Sequence, residues 1–100
     1  MLEHLFGNKT AERVLLHIFH YGETYAREIA LDLSIPATPV LYQLIRFERS
    51  GVLISRQVGK AKVFRFNDDN PLTQPVRVLI GIVYDRLDDS ERSRFFKSRS

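Results

Sequence analysis

The sequence of 100 residues contains no cysteine. This absence excludes disulfide bonds, zinc-thiolate sites and cysteine nucleophiles, and nothing in the sequence indicates an oxidising compartment. There is no apolar run of about 18 or more residues, the length that a membrane helix needs. The opening segment MLEHLFGNKT also lacks the basic start and long apolar centre of a signal peptide. These absences predict a cytoplasmic protein without a membrane segment.

Patterns typical of catalysis are missing as well. The five glycines stand apart from one another, so the chain has no glycine-rich phosphate loop. The acidic pairs Asp68–Asp69 and Asp88–Asp89 are expected in a loop and at a helix junction, where structural explanations suffice. His17 and His20 share a helix face, but no further ligands stand near them, which favours ordinary, partly exposed histidines over a metal site. We therefore predict that the protein is not an enzyme and uses neither a metal nor a cofactor.

Positive charge is concentrated in one short segment. The whole chain has 15 Lys and Arg against 12 Asp and Glu, a net charge of +3. Residues 51–66 contain four basic residues and no acidic one, whereas residues 67–100 contain six of each. Such clustering is typical of a surface that binds a polyanion. The alternative is a hairpin edge that lysines keep soluble.

The spacing of apolar residues and turn formers predicts a single domain with the order helix, helix, turn, helix, hairpin, helix. The first long helix is expected to begin after Asn8 or Thr10 and to end at Gly22. The second has Thr24 as its N-cap, and Pro36 prevents its continuation. The predicted fold class is mainly α with a small β-hairpin (α+β).

The next helix and the hairpin carry the clearest signals. The helix is expected to start within residues 36–38 and to end near Ser50, with Gly51 as its terminator and with three core residues: Val40, Leu44 and Phe47. Runs rich in β-branched and aromatic residues on both sides of Gly59 predict a hairpin over residues 52–66. In its second strand the alternation of side chains predicts Phe64 and Phe66 on one face and Arg65 on the other.

The segment YAREIALDLSIPATPVLYQLIRFERSGVLISRQVGKAKVFRFN resembles the winged helix-turn-helix of ArsR-like bacterial transcription regulators. Many of these share the form EIAxxLxIxxxxVxxxLxxLExxGxIxxxxxxGxxxxYxL, which is met here by Glu28, Ile29, Ala30, Leu33, Ile35, Val40, Leu44, Phe47, Glu48, Gly51, Gly59, Phe64 and Phe66. The preceding segment LFGNKTAERVLLHIF is similar to small winged helices associated with nucleotidyltransferases. The resemblance implies a winged-helix core over about residues 8–70, a C-terminal helical segment over about 72–96, and binding to double-stranded DNA. The cysteine and histidine ligands of metal-sensing relatives are not found at the corresponding places.

In a domain of this kind the second helix of the motif lies in the major groove. Four polar side chains of the helix at residues 37–50 are expected near base edges: Thr38, Tyr42, Gln43 and Arg46. Gln43 has the amide that pairs with adenine, and Arg46 has the guanidinium that pairs with guanine or phosphate. Contacts to the DNA backbone are expected from the helix end, the wing and the start of the first long helix: Arg49, Arg56, Lys60, Lys62, Lys9 and Thr10.

The last predicted helix, VRVLIGIVYDRL, is apolar on more than one face, which favours burial on two sides. It is expected to begin at Thr73 as a cap, and a further helix is expected to restart near Ser90. A glycine inside a helix costs about 1 kcal/mol relative to alanine, a cost that close approach of two backbones would explain. ArsR-like relatives dimerise through terminal helices, so we predict a homodimer whose interface includes four residues: Leu79, Gly81, Ile82 and Val83.

A protein-interaction winged helix, such as an antitoxin-like or enzyme-partner module, is the competing hypothesis. In that case Leu41, Tyr42 and Ile45 would form an apolar contact surface in place of a groove reader. A continuous positive band would favour DNA, and an apolar patch rimmed by acids would favour protein. The sequence leaves the operator, any small-molecule effector and the sense of regulation open.

Overall fold

The computed structural model describes residues 3–97, and the side chains of residues 5–97. Within this range the chain forms helices and strands in the order α1 (Glu3–Phe6), α2 (Lys9–Tyr21), β1 (Glu23–Thr24), α3 (Ala26–Leu33), α4 (Ala37–Ser50), β2 (Leu53–Val58), β3 (Ala61–Phe66), α5 (Thr73–Asp85) and α6 (Asp89–Phe95). The predicted α+β class is confirmed. No helix in the described part of the chain is long and apolar enough to cross a membrane.

The ends of α2 and α4 lie where the sequence predicts them. The side-chain oxygen of Asn8 accepts a hydrogen bond of 2.8 Å from the backbone N–H of Ala11, so Asn8 is the N-cap of α2. Helix α4 ends at Gly51, whose φ of 88° lies in the left-handed region that glycine adopts without steric cost. Asp88 and Glu91 form a reciprocal capping box at the start of α6.

The three strands form an antiparallel sheet in the order β1-β3-β2. Strand β1 differs from the sequence prediction, because Thr24 pairs with Phe64 and does not cap α3. The N-cap of α3 is Tyr25, which makes no side-chain cap hydrogen bond. A strand of two residues is too short to show an alternating pattern, so the sequence alone gave no sign of it.

The core lies between α2, α3, α4, α5 and the inner face of the sheet. Val40, Leu44 and Phe47 of α4 are buried, as are Phe64 and Phe66 of β3. Full burial of one such side chain contributes about 1.5–3 kcal/mol to stability relative to exposure. The inward stripe of α4 and the alternation in β3 are therefore confirmed.

Helix α5 is fixed to the hairpin at its first residue. The hydroxyl of Thr73 donates a hydrogen bond of 3.4 Å to the carbonyl oxygen of Val52, and Thr73 is buried. The N-cap of the helix is Leu72, so the prediction of Thr73 as a cap is wrong by one position. A buried hydroxyl needs a partner, and the carbonyl of Val52, the residue just before β2, provides it.

Helices α3 and α4 pack against each other and are joined by a short turn. Ser34 has a left-handed φ of 57°, and Pro36, with extended geometry, stands just before α4. The backbone N–H of Ile35 returns to the carbonyl of Ala30, which closes the end of α3. Two helices joined in this way and followed by a hairpin are compatible with a winged-helix-like fold.

A buried polar pair connects α2 to α3. Nε2 of His17 lies 3.0 Å from Oδ2 of Asp32, and the imidazole is fully buried. The prediction of a partly exposed histidine is therefore wrong for His17, while His20 is exposed, with Nδ1 2.8 Å from the Tyr84 hydroxyl. The pair ties α3 to α2 at the centre of the domain.

Candidate nucleic-acid interface

A groove of about 580 Å³ runs between the start of α3, the side of α4 and the tip of the β2–β3 hairpin. We call it the α3–hairpin groove; it is lined by Tyr25, Ala26, Arg27, Leu41, Val58, Lys60, Ala61 and Lys62. Three of these residues are cations and none is acidic. No side chain caps the start of α3, although Glu28 places one carboxylate in its first turn. The groove therefore suits an anionic partner.

The tip of the hairpin holds Lys60 outward. Val58 pairs with Ala61, which leaves a two-residue turn of Gly59 and Lys60. Gly59 has a φ of 59°, while Lys60 does not have a positive φ, the pattern of a type II′ turn with glycine in its first central position. Lys60 is exposed and forms no ion pair with any residue in the described range. Its ammonium group is available to a partner.

The cation on β2 is already paired. Nη1 and Nη2 of Arg56 lie 2.8 Å and 3.0 Å from the two carboxylate oxygens of Glu23, a bidentate arrangement. The hydrogen bond from Arg56 lowers the pKa of Glu23, and the same contact raises the pKa of Arg56. This pair joins β2 to β1 across the sheet. The role of Arg56 as a phosphate contact stays a prediction, and in this structure its positive charge is paired with the carboxylate of Glu23.

The cation on β3 is paired with α4. Nζ of Lys62 lies 3.0 Å from Oε1 of Glu48, and the Ser55 hydroxyl donates to Oε2 of the same carboxylate. The hydrogen bond from Ser55 is the main cause of a lowered Glu48 pKa, and Lys62 adds to it. Glu48 thus anchors the hairpin to α4. The negative charge of Glu48 thus pairs with the positive charge of Lys62 that was predicted to contact DNA.

The outer face of α4 presents fewer polar groups than the sequence predicts. Thr38, Tyr42 and Arg49 are exposed, in agreement with the prediction. Gln43 is only 6% exposed, so the prediction that its amide reaches base edges is wrong. It lies three residues after Val40 and four before Phe47, on the same stripe that faces the core. Counting helical positions from those core residues would have placed Gln43 inward.

The side-chain oxygen of Gln43 has no hydrogen-bond partner among the described residues. A buried amide oxygen in this state costs about 1–3 kcal/mol relative to a paired one. The burial of Gln43 is therefore a cost to the fold and not a stabilising contact.

Arg46 is used within the domain. Its guanidinium donates to the carbonyl oxygen of Phe6 at the end of α1 and lies 5.2 Å from the ring centre of Phe47. The last carbonyls of a helix need outside partners, and Arg46 supplies one. The prediction that Arg46 pairs with guanine or phosphate is thus not supported by its position. Helix α1 has four residues, too few for a sequence pattern to reveal this contact.

The structure adds one residue to the groove and leaves two predicted ones outside it. Arg27 lies in the first turn of α3, where a cation opposes the helix dipole. Glu28 in the same turn offsets that charge, so the sequence alone did not single out Arg27 as a groove residue. Lys9 and Thr10 begin α2 away from the groove, and Lys9 instead lines a different cavity.

The residues predicted for a dimer interface divide into two groups. Val83 is buried in the core, and a Cβ at Gly81 would lie 3.4 Å from the Phe19 ring, so both face the interior of the same chain. The prediction that Gly81 permits two backbones to approach is therefore wrong. Leu79 and Ile82 are exposed, and with two further exposed residues they form one apolar strip along α5, which we call the outer α5 stripe: Leu72, Val78, Leu79 and Ile82.

Comparison with known proteins identifies a fold likeness. The chain is similar to the crystal structure of AF1382 from Archaeoglobus fulgidus, with a TM-score of 0.63 and 20% sequence identity. The alignment covers 88% of this chain and 100% of the other. No protein-family model and no curated protein sequence matches this chain. At this level of identity the likeness shows a shared fold.

Proposed function

We propose that this protein is a DNA-binding transcriptional regulator with a winged helix-turn-helix, and that it binds duplex DNA as a homodimer. In this proposal α3 and α4 are the helix-turn-helix, and the β2–β3 hairpin is the wing. The observation that carries the proposal is the α3–hairpin groove, whose lining contains three cations and no carboxylate. A concave surface of one charge sign beside an exposed helix suits a phosphate backbone. The sequence pattern that resembles ArsR-like regulators supports the same function.

Each residue at the groove and on α4 has a role in this proposal. Arg27 and Lys60 reach phosphates from two sides of the groove, and the uncapped start of α3 adds backbone N–H donors. On α4, Tyr42, Thr38 and Arg49 are the exposed polar groups that enter the major groove. With Gln43 buried, few side chains remain for base readout. We therefore expect most of the affinity to come from the DNA backbone, with a modest sequence preference.

A salt titration of duplex affinity tests this function. Lys60→Gln and Arg27→Gln should each reduce the slope of log affinity against log salt by about one, because each removes about one phosphate contact. Arg94→Gln is the matched control, since it removes one exposed cation on α6 that does not line the groove. An affinity that does not depend on salt, or equal slopes in all four proteins, would contradict the proposal.

The outer α5 stripe is the proposed homodimer interface. Its exposed members follow helical spacing, and Ile82, at its C-terminal end, is 49% exposed. A symmetric contact between two such helices removes the apolar surface of both copies from water. Sedimentation should show a dimer at micromolar concentration, and Ile82→Glu should give a folded monomer. Gln74→Glu, which adds the same charge on α5 beside the stripe, should stay dimeric; a monomeric unaltered protein with a normal melt would refute the interface.

A protein-interaction module is the second candidate, because the exposed face of α4 is more apolar than a typical groove reader. Tyr42 is 65% exposed and Leu41 39%, with Ile45 beside them. The neighbouring charged residues in the shallow cavity there are Arg46 and Arg49, which would match an acidic partner. Leu41→Ala separates the candidates: duplex affinity should stay unchanged if phosphates dominate, and capture of an acidic partner protein should fall.

A further inference from the structure

A second cavity, of about 340 Å³, lies between the first half of α2, the end of α5 and α6. Ligand-binding cavities in proteins begin near 300 Å³. Its apolar lining comes from four residues, three of which are largely buried: Leu16, Val83, Leu87 and Phe95. None of the residues that line it belongs to the α3–hairpin groove. We call it the α2–α5–α6 cavity.

Three cations line the cavity: Lys9, Arg13 and Arg86. The Arg13 guanidinium lies 4.8 Å from the ring centre of Phe95, which places its charge next to the apolar floor. The side chains of Lys9 and Arg86 make no hydrogen bond or ion pair within residues 3–97. Their donors are therefore available to a ligand at the edge of the cavity.

Two carboxylates also line the cavity, but both are engaged. Oε1 of Glu91 accepts the backbone N–H of Asp88 at 3.1 Å as part of the capping box. Glu12 is largely buried and has an interaction partner of its own. The lining holds three cations against two carboxylates, so its net charge is positive above the apolar floor.

We propose that the α2–α5–α6 cavity binds a small organic carboxylate with an apolar body of about the size of benzoate or hexanoate. The carboxylate would accept hydrogen bonds from Arg13, Arg86 and Lys9, since guanidinium groups match carboxylates in geometry. The apolar body would lie against Leu16 and Phe95. A polar head over an apolar floor is the usual arrangement of a small-molecule site.

Such a ligand would hold α6 against α2 and α5. Elements α2, α5 and α6 all contribute to the lining, so an occupied cavity joins α6 to the helix that carries the outer α5 stripe. Ligand binding should therefore raise the melting temperature of the protein, because only the folded state has the cavity. This inference goes beyond the proposed DNA function and does not depend on it.

Calorimetric titration of the full chain with benzoate and with hexanoate tests the site. We expect saturable binding with a Kd of about 1 mM or tighter, a reasonable limit for ligands of so few atoms. Arg86→Gln and Lys9→Gln should each weaken the Kd about tenfold through loss of a charged hydrogen bond. Arg65→Gln, which neutralises an exposed cation on β3, is the control and should bind as the unaltered protein does. Hexylamine, with the opposite charge on a similar chain, should not bind.

A filling variant tests the location of the site independently. Leu87→Phe should occupy part of the cavity and abolish carboxylate binding, and a thermal melt establishes that this variant folds. Because Arg86 and Lys9 are exposed, their glutamine variants test the site even where the filling variant is unstable. Absence of saturable carboxylate binding, hexylamine binding of equal strength, or an unchanged Kd in both glutamine variants would overturn the proposal.

Discussion

The outer face of α4 and the tip of the hairpin are both predicted to contact DNA, and they differ in how much polar chemistry the fold leaves available. On α4, Gln43 is buried and Arg46 binds the end of α1. At the tip, Lys60 extends beyond the sheet and has no competing carboxylate in the described structure. A helix that packs against α2, α3 and β2 loses polar groups to its neighbours. A two-residue turn has few neighbours, so its charge stays available.

The strands of the hairpin lie between these extremes. Arg56 and Lys62 stand next to the tip but are matched by Glu23 and Glu48. Both pairs are partly exposed to water, which screens their attraction, so they contribute little to stability. The number of basic residues in a segment therefore exceeds the number that is available to a partner, wherever an adjacent helix or strand supplies a carboxylate.

The largest expected effect tests which face of α4 is buried, because the comparison depends on the rotation of this helix about its axis. Phe47→Ala should reduce the free energy of unfolding by about 3–5 kcal/mol, because the lost ring leaves a cavity beside Phe6. Arg49→Ala, on the outer face, should change it by about 0.5 kcal/mol or less. Denaturant unfolding measures both. A small effect of Phe47→Ala would mean that another face of α4 is buried and that Gln43 is free after all.

Gln43→Leu sharpens the α4 side of the comparison. This change removes a buried amide oxygen that has no partner, so we expect the free energy of unfolding to rise by about 1 kcal/mol. Duplex affinity should be unchanged, because the side chain does not reach the surface. Gln43→Ala, which leaves a cavity, should instead destabilise the domain. A fall in affinity with Gln43→Leu at unchanged stability would restore the base-reading role.

Arg46→Ala tests whether Arg46 stabilises α1 or contacts DNA. Loss of its charged hydrogen bond to Phe6 should cost about 1 kcal/mol and should speed hydrogen exchange of residues 5–8. The salt dependence of duplex affinity should stay within error of the unaltered protein. A loss of about one unit in that slope would show that Arg46 leaves α1 and contacts a phosphate.

The smallest expected effect concerns the hairpin strands and depends on pH. The pKa of Glu48 is lowered by the hydrogen bond from Ser55 and by Lys62, so its carboxylate stabilises the fold above the usual glutamate pKa of about 4.3. That contribution is lost as pH falls through the lowered value. Glu48→Gln should therefore be less stable than the unaltered protein by under about 1 kcal/mol at neutral pH, and the two stability curves should converge in acid.

Asp69→Asn is the matched control for this pH dependence. Asp69 is an exposed carboxylate that makes no ion pair within residues 3–97, so its removal should leave the curve unchanged. Parallel curves for Glu48→Gln and the unaltered protein across the acid range would exclude Glu48 as the anchor of the hairpin.

Most of the fold could be predicted from the sequence because its signals are local. Gly51 and Gly59 mark the end of a helix and a turn, and the stripe of Val40, Leu44 and Phe47 fixes the inner face of α4. Strand β1 could not be predicted, since two residues carry no periodicity and the strand forms only by pairing with distant Phe64.

The candidate site was harder to predict, because its properties depend on which distant side chains meet. Nothing near Arg56 in the sequence shows that Glu23 will lie beside it. The same holds for Arg46 and the carbonyl of Phe6, which are 40 residues apart in the chain. Arg27 was missed for the same reason, because only the fold brings the first turn of α3 beside Lys60 and Lys62 of the hairpin.

The type II′ turn has a consequence for the thermodynamics of binding. A turn of two residues held by the Val58–Ala61 pair leaves the backbone of Lys60 little freedom before any partner arrives. A long flexible loop would lose about 1–2 kcal/mol of backbone entropy for each residue that it orders on binding. Here that loss is already incurred in folding, so association immobilises mainly the lysine side chain. The turn is thus preorganised for binding. Lengthening it with glycines would weaken binding although every charge is retained.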